Sequence, residues 1–267
     1  MYLGANSDDA DLTGNPIHDH DAPAYYTTGI TIRGRAAMPV ANEVYGNYRG
    51  IEIGDPAPDA NNQVLRNFVH DNQHQGIRAG RGTTVTENVL RGHLGTDSGA
   101  FGAGALVLYE EAVARNNVLF DNHFAIRIEF GGTAEQNRVY NNSIGIWSAA
   151  WNATILANVV YSNSIGIQAK PYGSFAPDPR IENNLVYDNS NFGVLLENTS
   201  HASVVNNTIY QAVGDALRIQ GQSMEVQIDN NIFWVESGAN LYVDDDSQTG
   251  FAGVEGVYVV HHHCHRS

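Results

Sequence analysis

The sequence predicts an all-β solenoid of about ten coils with three short strands to a coil. Three observations predict it. An asparagine-led tetrapeptide recurs along nearly the whole chain, a second short signature follows each copy at a nearly fixed distance, and two-residue alternation replaces helical periodicity throughout. The composition agrees: 28 asparagines and 27 glycines in 267 residues suit a chain that must turn often.

The tetrapeptide has the form Asn-x-aliphatic-aromatic. Its copies begin at Asn15, Asn42, Asn67, Asn88, Asn117, Asn137, Asn158, Asn184, Asn207 and Asn231, at intervals of 20 to 29 residues. Its third position is apolar, as in Val44, Val69, Leu90 and Val139. Its fourth is mostly aromatic, as in Tyr45, Tyr140, Tyr161, Tyr187 and Tyr210. The second signature is a small residue before an alternating triplet, such as Gly50-Ile51-Glu52-Ile53, Gly76-Ile77-Arg78-Ala79 and Gly166-Ile167-Gln168-Ala169. Alternation over three to five residues describes short strands with one face inward. Three such strands per period make one coil of a parallel β-helix. Asparagine tolerates the left-handed backbone of a corner and can bond the asparagine of the next coil, forming a ladder. The small residue before each triplet is expected at a second tight corner.

These residues carry a resemblance. Over about residues 12 to 245 the pattern resembles the right-handed parallel β-helix proteins, the pectate-lyase-like superfamily with NosD-type repeats. The fold it implies is a right-handed single-stranded parallel β-helix with an asparagine ladder. Residues 1–245 are read as the β-helix and 246–267 as a tail outside the repeat. Asn15-Pro16-Ile17-His18-Asp19 is in register with Asn67-Phe68-Val69-His70-Asp71, so the coils begin by residue 12 with no capping helix in front. That suggests a piece of a larger β-helix, or ends that associate with one another. His18-Asp19-His20-Asp21 looks like a metal motif, but the repeat register already explains its first two residues. The tail His261-His262-His263-Cys264-His265 is read as foreign to the repeat, with soft-metal binding as the alternative.

Charge and composition exclude other classes. A net charge of −15 argues against a nucleic-acid partner. No apolar run is long enough to span a membrane. One cysteine gives no internal disulfide framework, and 42% hydrophobic content is too high for a disordered chain. No signal peptide is visible, yet the fold resemblance suggests an extracellular, periplasmic or cell-surface location.

Function is sought in residues the repeat does not require. Insertions before the triplet strand fall at about His20–Thr28 and His93–Gly104, and long connections after it at Gly54–Asn62 and Lys170–Pro179. Loops on both edges of one strand stack wall a groove. Outward triplet positions form a stripe: Thr31, Glu52, Arg78, Val107, Arg127, Trp147, Gln168, Leu195, Arg218 and Tyr242, with Tyr109, Glu129, Lys170 and Glu197 one step further. His74, His93 and His123 occupy the turn before it. Arginine forks suit carboxylates and aromatic faces suit sugar rings, so an acidic polysaccharide is the expected partner. The resemblance points the same way, since many relatives cleave or epimerise uronic-acid polymers on this stripe. It implies proton abstraction beside a carboxylate held by Arg78 and Arg127, with His93 or His123 as base and Tyr109 as proton donor. Trp147, Lys170, Tyr172, Arg218, Glu129 and Glu197 are the expected substrate contacts. No cofactor is required; calcium held by Asp97, Glu129 and Glu197 is the metal-assisted alternative. The paired-aspartate and Gly-His-Gly motifs of polygalacturonase-like hydrolases are absent, as is the Asp-Pro-His-Glu motif of alginate epimerases. A lyase or epimerase therefore comes before a hydrolase. A non-catalytic binding or adhesin module, or a structural fragment, is the competing reading, and the charged stripe would then be a solvated face with cross-strand pairs.

Overall fold

A computed structural model describes residues 1–4, 8–19, 27–54, 59–98, 102–174, 176–248, 258–260 and 263–265. Most of the His20–Thr28 insertion, including His20 and Asp21, lies outside the described residues, as do parts of the other three loops. The chain winds into three parallel sheets of 11 strands each, in which every strand pairs with its counterpart one coil away. The only helix among the described residues is Asp245–Gln248. The first sheet contains the triplet strands, such as Arg49–Ile53, Gln75–Ala79, Gly104–Tyr109, Phe124–Glu129 and Ile144–Ser148. The third contains the strands that follow each ladder asparagine. Inward aliphatic residues from all three sheets fill one continuous core, including Ile51, Ile77, Leu106, Ile126, Val139 and Ile155, each fully buried.

The core can close because its corners are polar and internally paired. Asn42 donates its backbone N–H and its Nδ2 to Oδ1 of Asn67, at 2.9 and 3.0 Å. The same double contact passes along the row to Asn207 and Asn231. Each amide also reaches back to a main-chain carbonyl of the preceding coil, as Asn67 does to Pro39 at 2.9 Å. A buried amide left unpaired costs ~1–3 kcal/mol, so every coil holds its neighbour in register.

The corner differs from expectation in one respect. The left-handed residue is the one before the ladder asparagine: Arg66, Glu87, Gln136 and Ala157 have φ of 53, 57, 57 and 55°. The asparagine is selected for its amide, not for its backbone. The small residue before the triplet is likewise no corner. It lies within a strand, and a Cβ on Gly76 would sit 2.4 Å from the Ala105 carbonyl oxygen and 2.6 Å from His93 Nε2.

A second row, not anticipated from the sequence, runs through Asn47, Asn72, His93, Asn122, Asn142, Asn163, Asn189 and Gln211. His93 takes the place of an asparagine. Its Nε2 faces Asn72 Nδ2 at 3.3 Å and its Nδ1 faces Asn122 Oδ1 at 3.1 Å. The direction of the row makes Nδ1 the donor and Nε2 the acceptor. Candidate base His93 is therefore a buried rung, 1% exposed. Beyond residue 245, Tyr258–Val260 and His263–His265 extend the second and third sheets, so backbone pairing continues into the tail read as lying outside the repeat.

Burial lowers the His93 pKa to about 4. The folded state keeps the ring neutral, whereas the unfolded chain takes up a proton below its ordinary value of 6.5. Stability contributed by this ring is thus intact above that value and lost as pH falls towards about 4. Urea unfolding near pH 4.5 should show the wild type weakened by ~2–3 kcal/mol relative to pH 7 through this group. His93→Asn should retain the row and lose that part of the pH dependence.

Candidate functional site

The first sheet aligns the stripe coil by coil. Glu52 pairs in register with Arg78, Arg78 with Val107, Val107 with Arg127, Arg127 with Trp147, and Trp147 with Gln168. Tyr109 lies beside Glu129. The order read from the repeat is the order on the sheet, but these residues do not share one open face.

Arg127 and Glu129 are both 0% exposed, and Arg127 Nε lies 2.6 Å from Glu129 Oε1. The guanidinium stacks on Trp147, 4.5 Å from the ring centre, with Tyr172 at 5.3 Å. It also donates to the main-chain carbonyls of Asp97 and Ser98, at 3.4 and 3.2 Å. The His93–Gly104 insertion therefore covers this part of the stripe. Gln75 Nε2 donates to the Gly102 carbonyl at 2.7 Å, and Asp97 lies 3.6 Å from His74, fixing the insertion from the preceding coil. Neither the expected carboxylate-binding role of Arg127 nor a solvated charged face fits a pair so enclosed. Burial pushes the Glu129 carboxyl upward against the opposing pull of Arg127.

Two clefts flank the covered centre. The first, of about 610 Å³, is lined by Arg33, Arg78, Arg81, Tyr109, Glu110 and Phe130 among others. At its base Arg33 and Arg78 each lie 3.0 Å from Glu52 Oε1, and Arg49 lies 3.2 Å from Oε2. One carboxylate thus serves three guanidiniums. Burial alone would raise its pKa, but Arg49, Arg78 and Arg33 together hold it below the usual range. Arg78 stacks on the Tyr109 ring at 4.7 Å. Burial, then the Glu129 charge, drive the Tyr109 phenol upward, so it stays protonated.

The second cleft, of about 560 Å³, is lined by Thr96, Ser98, His123, Trp147, Lys170 and Tyr172 among others. His123 is half-buried, and burial lowers its pKa, which favours the neutral ring. Trp147 is only 4% exposed and donates Nε1 to the Lys170 carbonyl at 2.8 Å. It offers an edge rather than the open stacking face expected of it. Lys170 pairs with Glu197 at 2.9 Å. Arg218 is committed elsewhere on the stripe, to Asp215 at 2.9 Å and the Tyr242 ring at 4.0 Å.

The proposed calcium carboxylates do not converge. Asp97 faces His74, Glu129 faces Arg127 and Glu197 faces Lys170. Among the described residues no group of three potential ligands is positioned to hold a metal. No helix among them is long and apolar enough to cross a membrane. Arg81, Phe130 and Trp151 were not foreseen as site residues because they lie in the turns after the first sheet, outside the repeat. The interruption Phe130-Gly131-Gly132 was the available signal.

This geometry can be set beside known proteins. The model of the right-handed β-helix region matches residues 3–165 and 103–254. The chain belongs to the right-handed β-helix family. Among solved structures, this β-helix is similar to the Dettilon tailspike protein, with a TM-score of 0.60 and 13% identity over 93% of this chain and 60% of the tailspike. It is also similar to XylC solved in complex with xylose, with a TM-score of 0.56 and 10% identity over 87% of this chain and 54% of XylC. The β-helix thus spans less than two thirds of either protein's length. At these identities the likeness is one of fold. No curated protein matches the chain.

Removing one partner of a buried ion pair leaves a charge without compensation. Arg127→Ala should lower unfolding stability by ~3–5 kcal/mol. It should also make the 93–104 segment more sensitive to proteolysis. Wild-type stability in denaturant would show that the pair does not hold the insertion.

Proposed function

We propose that this β-helix is a carbohydrate-active protein that engages an acidic, uronic-acid-containing polysaccharide along the outer side of its first sheet. The observation that carries the reading is the arginine cleft: three guanidiniums around the buried Glu52 carboxylate, of which Arg33 and Arg78 line the cleft, in a chain of net charge −15. A clustered excess of positive charge in an acidic protein suits a carboxylate ligand, which arginine can grip through paired hydrogen bonds. Arg78 and Arg33 are the contacts assigned to that group, with Arg81 at the rim. The fold likeness to a protein solved with xylose accords with a saccharide ligand. The reading carries with it an extracellular, periplasmic or cell-surface location, where such polymers occur.

Binding should be measured by affinity electrophoresis in polygalacturonate, alginate and a neutral glucan. Retardation is expected in the acidic polymers, diminishing with salt. A charge-assisted hydrogen bond contributes ~1.5–3 kcal/mol, so Arg78→Ala should weaken binding by about tenfold or more. Arg33 and Arg49 would still hold Glu52 in that variant. Unchanged affinity would remove the arginine cleft from the ligand site.

A catalytic reading, lyase or epimerase, is favoured by one observation. The Tyr109 ring lines the arginine cleft beside Arg78, and burial keeps its phenol protonated, as a proton donor must be. His123 is the remaining candidate base, since His93 is a ladder rung. Incubation with pectate, alginate and glycosaminoglycans, followed by ultraviolet absorbance of an unsaturated product, tests the lyase form. Tyr109→Phe should abolish turnover and leave polymer binding in place. Binding without turnover of any polymer would favour the surface-module reading.

A further inference from the structure

Between the two clefts lies a group of residues that the function proposed above does not use. Glu110, Glu111 and Phe130 sit in the turns after the first sheet with φ of 45, 69 and 56°. For a bulky aromatic side chain this is strained backbone, costing ~1–3 kcal/mol. The ring it holds there is half-buried and meets Trp151 at 5.0 Å and 64°, and Tyr172 at 6.4 Å and 83°. Trp151 is 37% exposed. Phe130 and Trp151 line a further hollow of about 470 Å³ together with Arg81, Glu110, Glu111 and Asn152.

The charge reverses across Phe130. On one side the cleft is lined by Arg33, Arg78 and Arg81, with Glu110 its one acidic residue. On the other the hollow shares the Arg81–Glu110 pair, at 3.2 Å, and adds Glu111, so its balance is negative. The Asp178 carboxylate adds to the negative side by accepting the Asn152 backbone N–H. A uronate placed in the hollow would meet like charge. An uncharged pyranose would not: its apolar face can lie on the aromatic rings and its hydroxyls can donate to the two glutamates.

We infer that Phe130 and Trp151 form a subsite for an uncharged sugar ring next to the arginine cleft, so that the preferred polymer alternates acidic with uncharged residues. The inference rests on the arginine cleft as the carboxylate site and adds the neighbouring unit. Phe130 divides the two subsites, since its ring lines both the cleft and the hollow.

The test compares two polymers on the full chain. Polygalacturonate is acidic at every unit, whereas hyaluronan alternates a uronic acid with an uncharged N-acetylhexosamine. Wild type should bind hyaluronan at least about tenfold more tightly, the equivalent of ~1.4 kcal/mol. Trp151→Ala should erase that preference. Phe130→Gly should erase it too while leaving the melting temperature nearly unchanged, because glycine accepts the left-handed backbone and relief of strain offsets the lost ring contacts. A purely structural ring would instead give a large fall in melting temperature with the preference intact. Equal binding of the two polymers by wild type, or a preference that survives both substitutions, overturns this inference alone. Binding of neither polymer overturns it together with the carboxylate site on which it rests.

Discussion

The amide contact between asparagines of successive coils is the interaction on which the rest of this molecule depends. The corners must be buried for the core to be continuous, and a buried main-chain corner must still satisfy its polar groups. One asparagine oxygen accepts both the backbone N–H and the side-chain amide of its neighbour, as Asn67 does for Asn42. That geometry fixes the register of all three sheets. The register in turn places outward side chains of adjacent coils against one another. Arg78 can stack on Tyr109, and Arg33 and Arg78 can join Arg49 at Glu52, only because no coil slips.

The same crowding decides which part of the first sheet is available to a ligand. Its centre is closed, since the insertion after His93 lays main-chain carbonyls over Arg127 and turns it into an anchor. What stays open lies along the margins: the arginine cleft on one side of the anchor and the His123 cleft on the other. A long loop over a strand stack can therefore partition a groove as well as wall it.

How much of this was legible in the sequence follows from which contacts are periodic. The first amide row, the alternating strands and the sequence of the stripe repeat with every coil, and a repeat shows itself in a single chain. The second amide row is periodic too, but His93 and Gln211 interrupt its asparagines, and it is masked by neighbouring turn residues such as Asn141 and Ser162. The burial of Arg127 and Glu129 was not legible. It is produced by one loop that occurs once, and alternation gives a side chain's direction without its cover. The outer rings show the favourable case: Tyr140, Tyr161 and Tyr187 share one repeat position and stack at 5.1 and 4.9 Å, as their spacing implies. Phe130 and Trp151 show the opposite, because turns between repeats follow no period.

The two amide rows have a further property: they are electrically directional. In each contact the side-chain N–H₂ points towards the following coil and the oxygen towards the preceding one, from Asn42 to Asn207 in the first row and from Asn47 to Asn163 in the second. Strand hydrogen bonds point both ways and largely cancel, whereas these amide dipoles add. Each polarises the next, as in any chain of aligned hydrogen bonds. An imidazole inserted into such a row has only one admissible tautomer, and a proton added at His93 would set two donors face to face. The solenoid thus has a head and a tail in its electrostatics as well as in its chain direction.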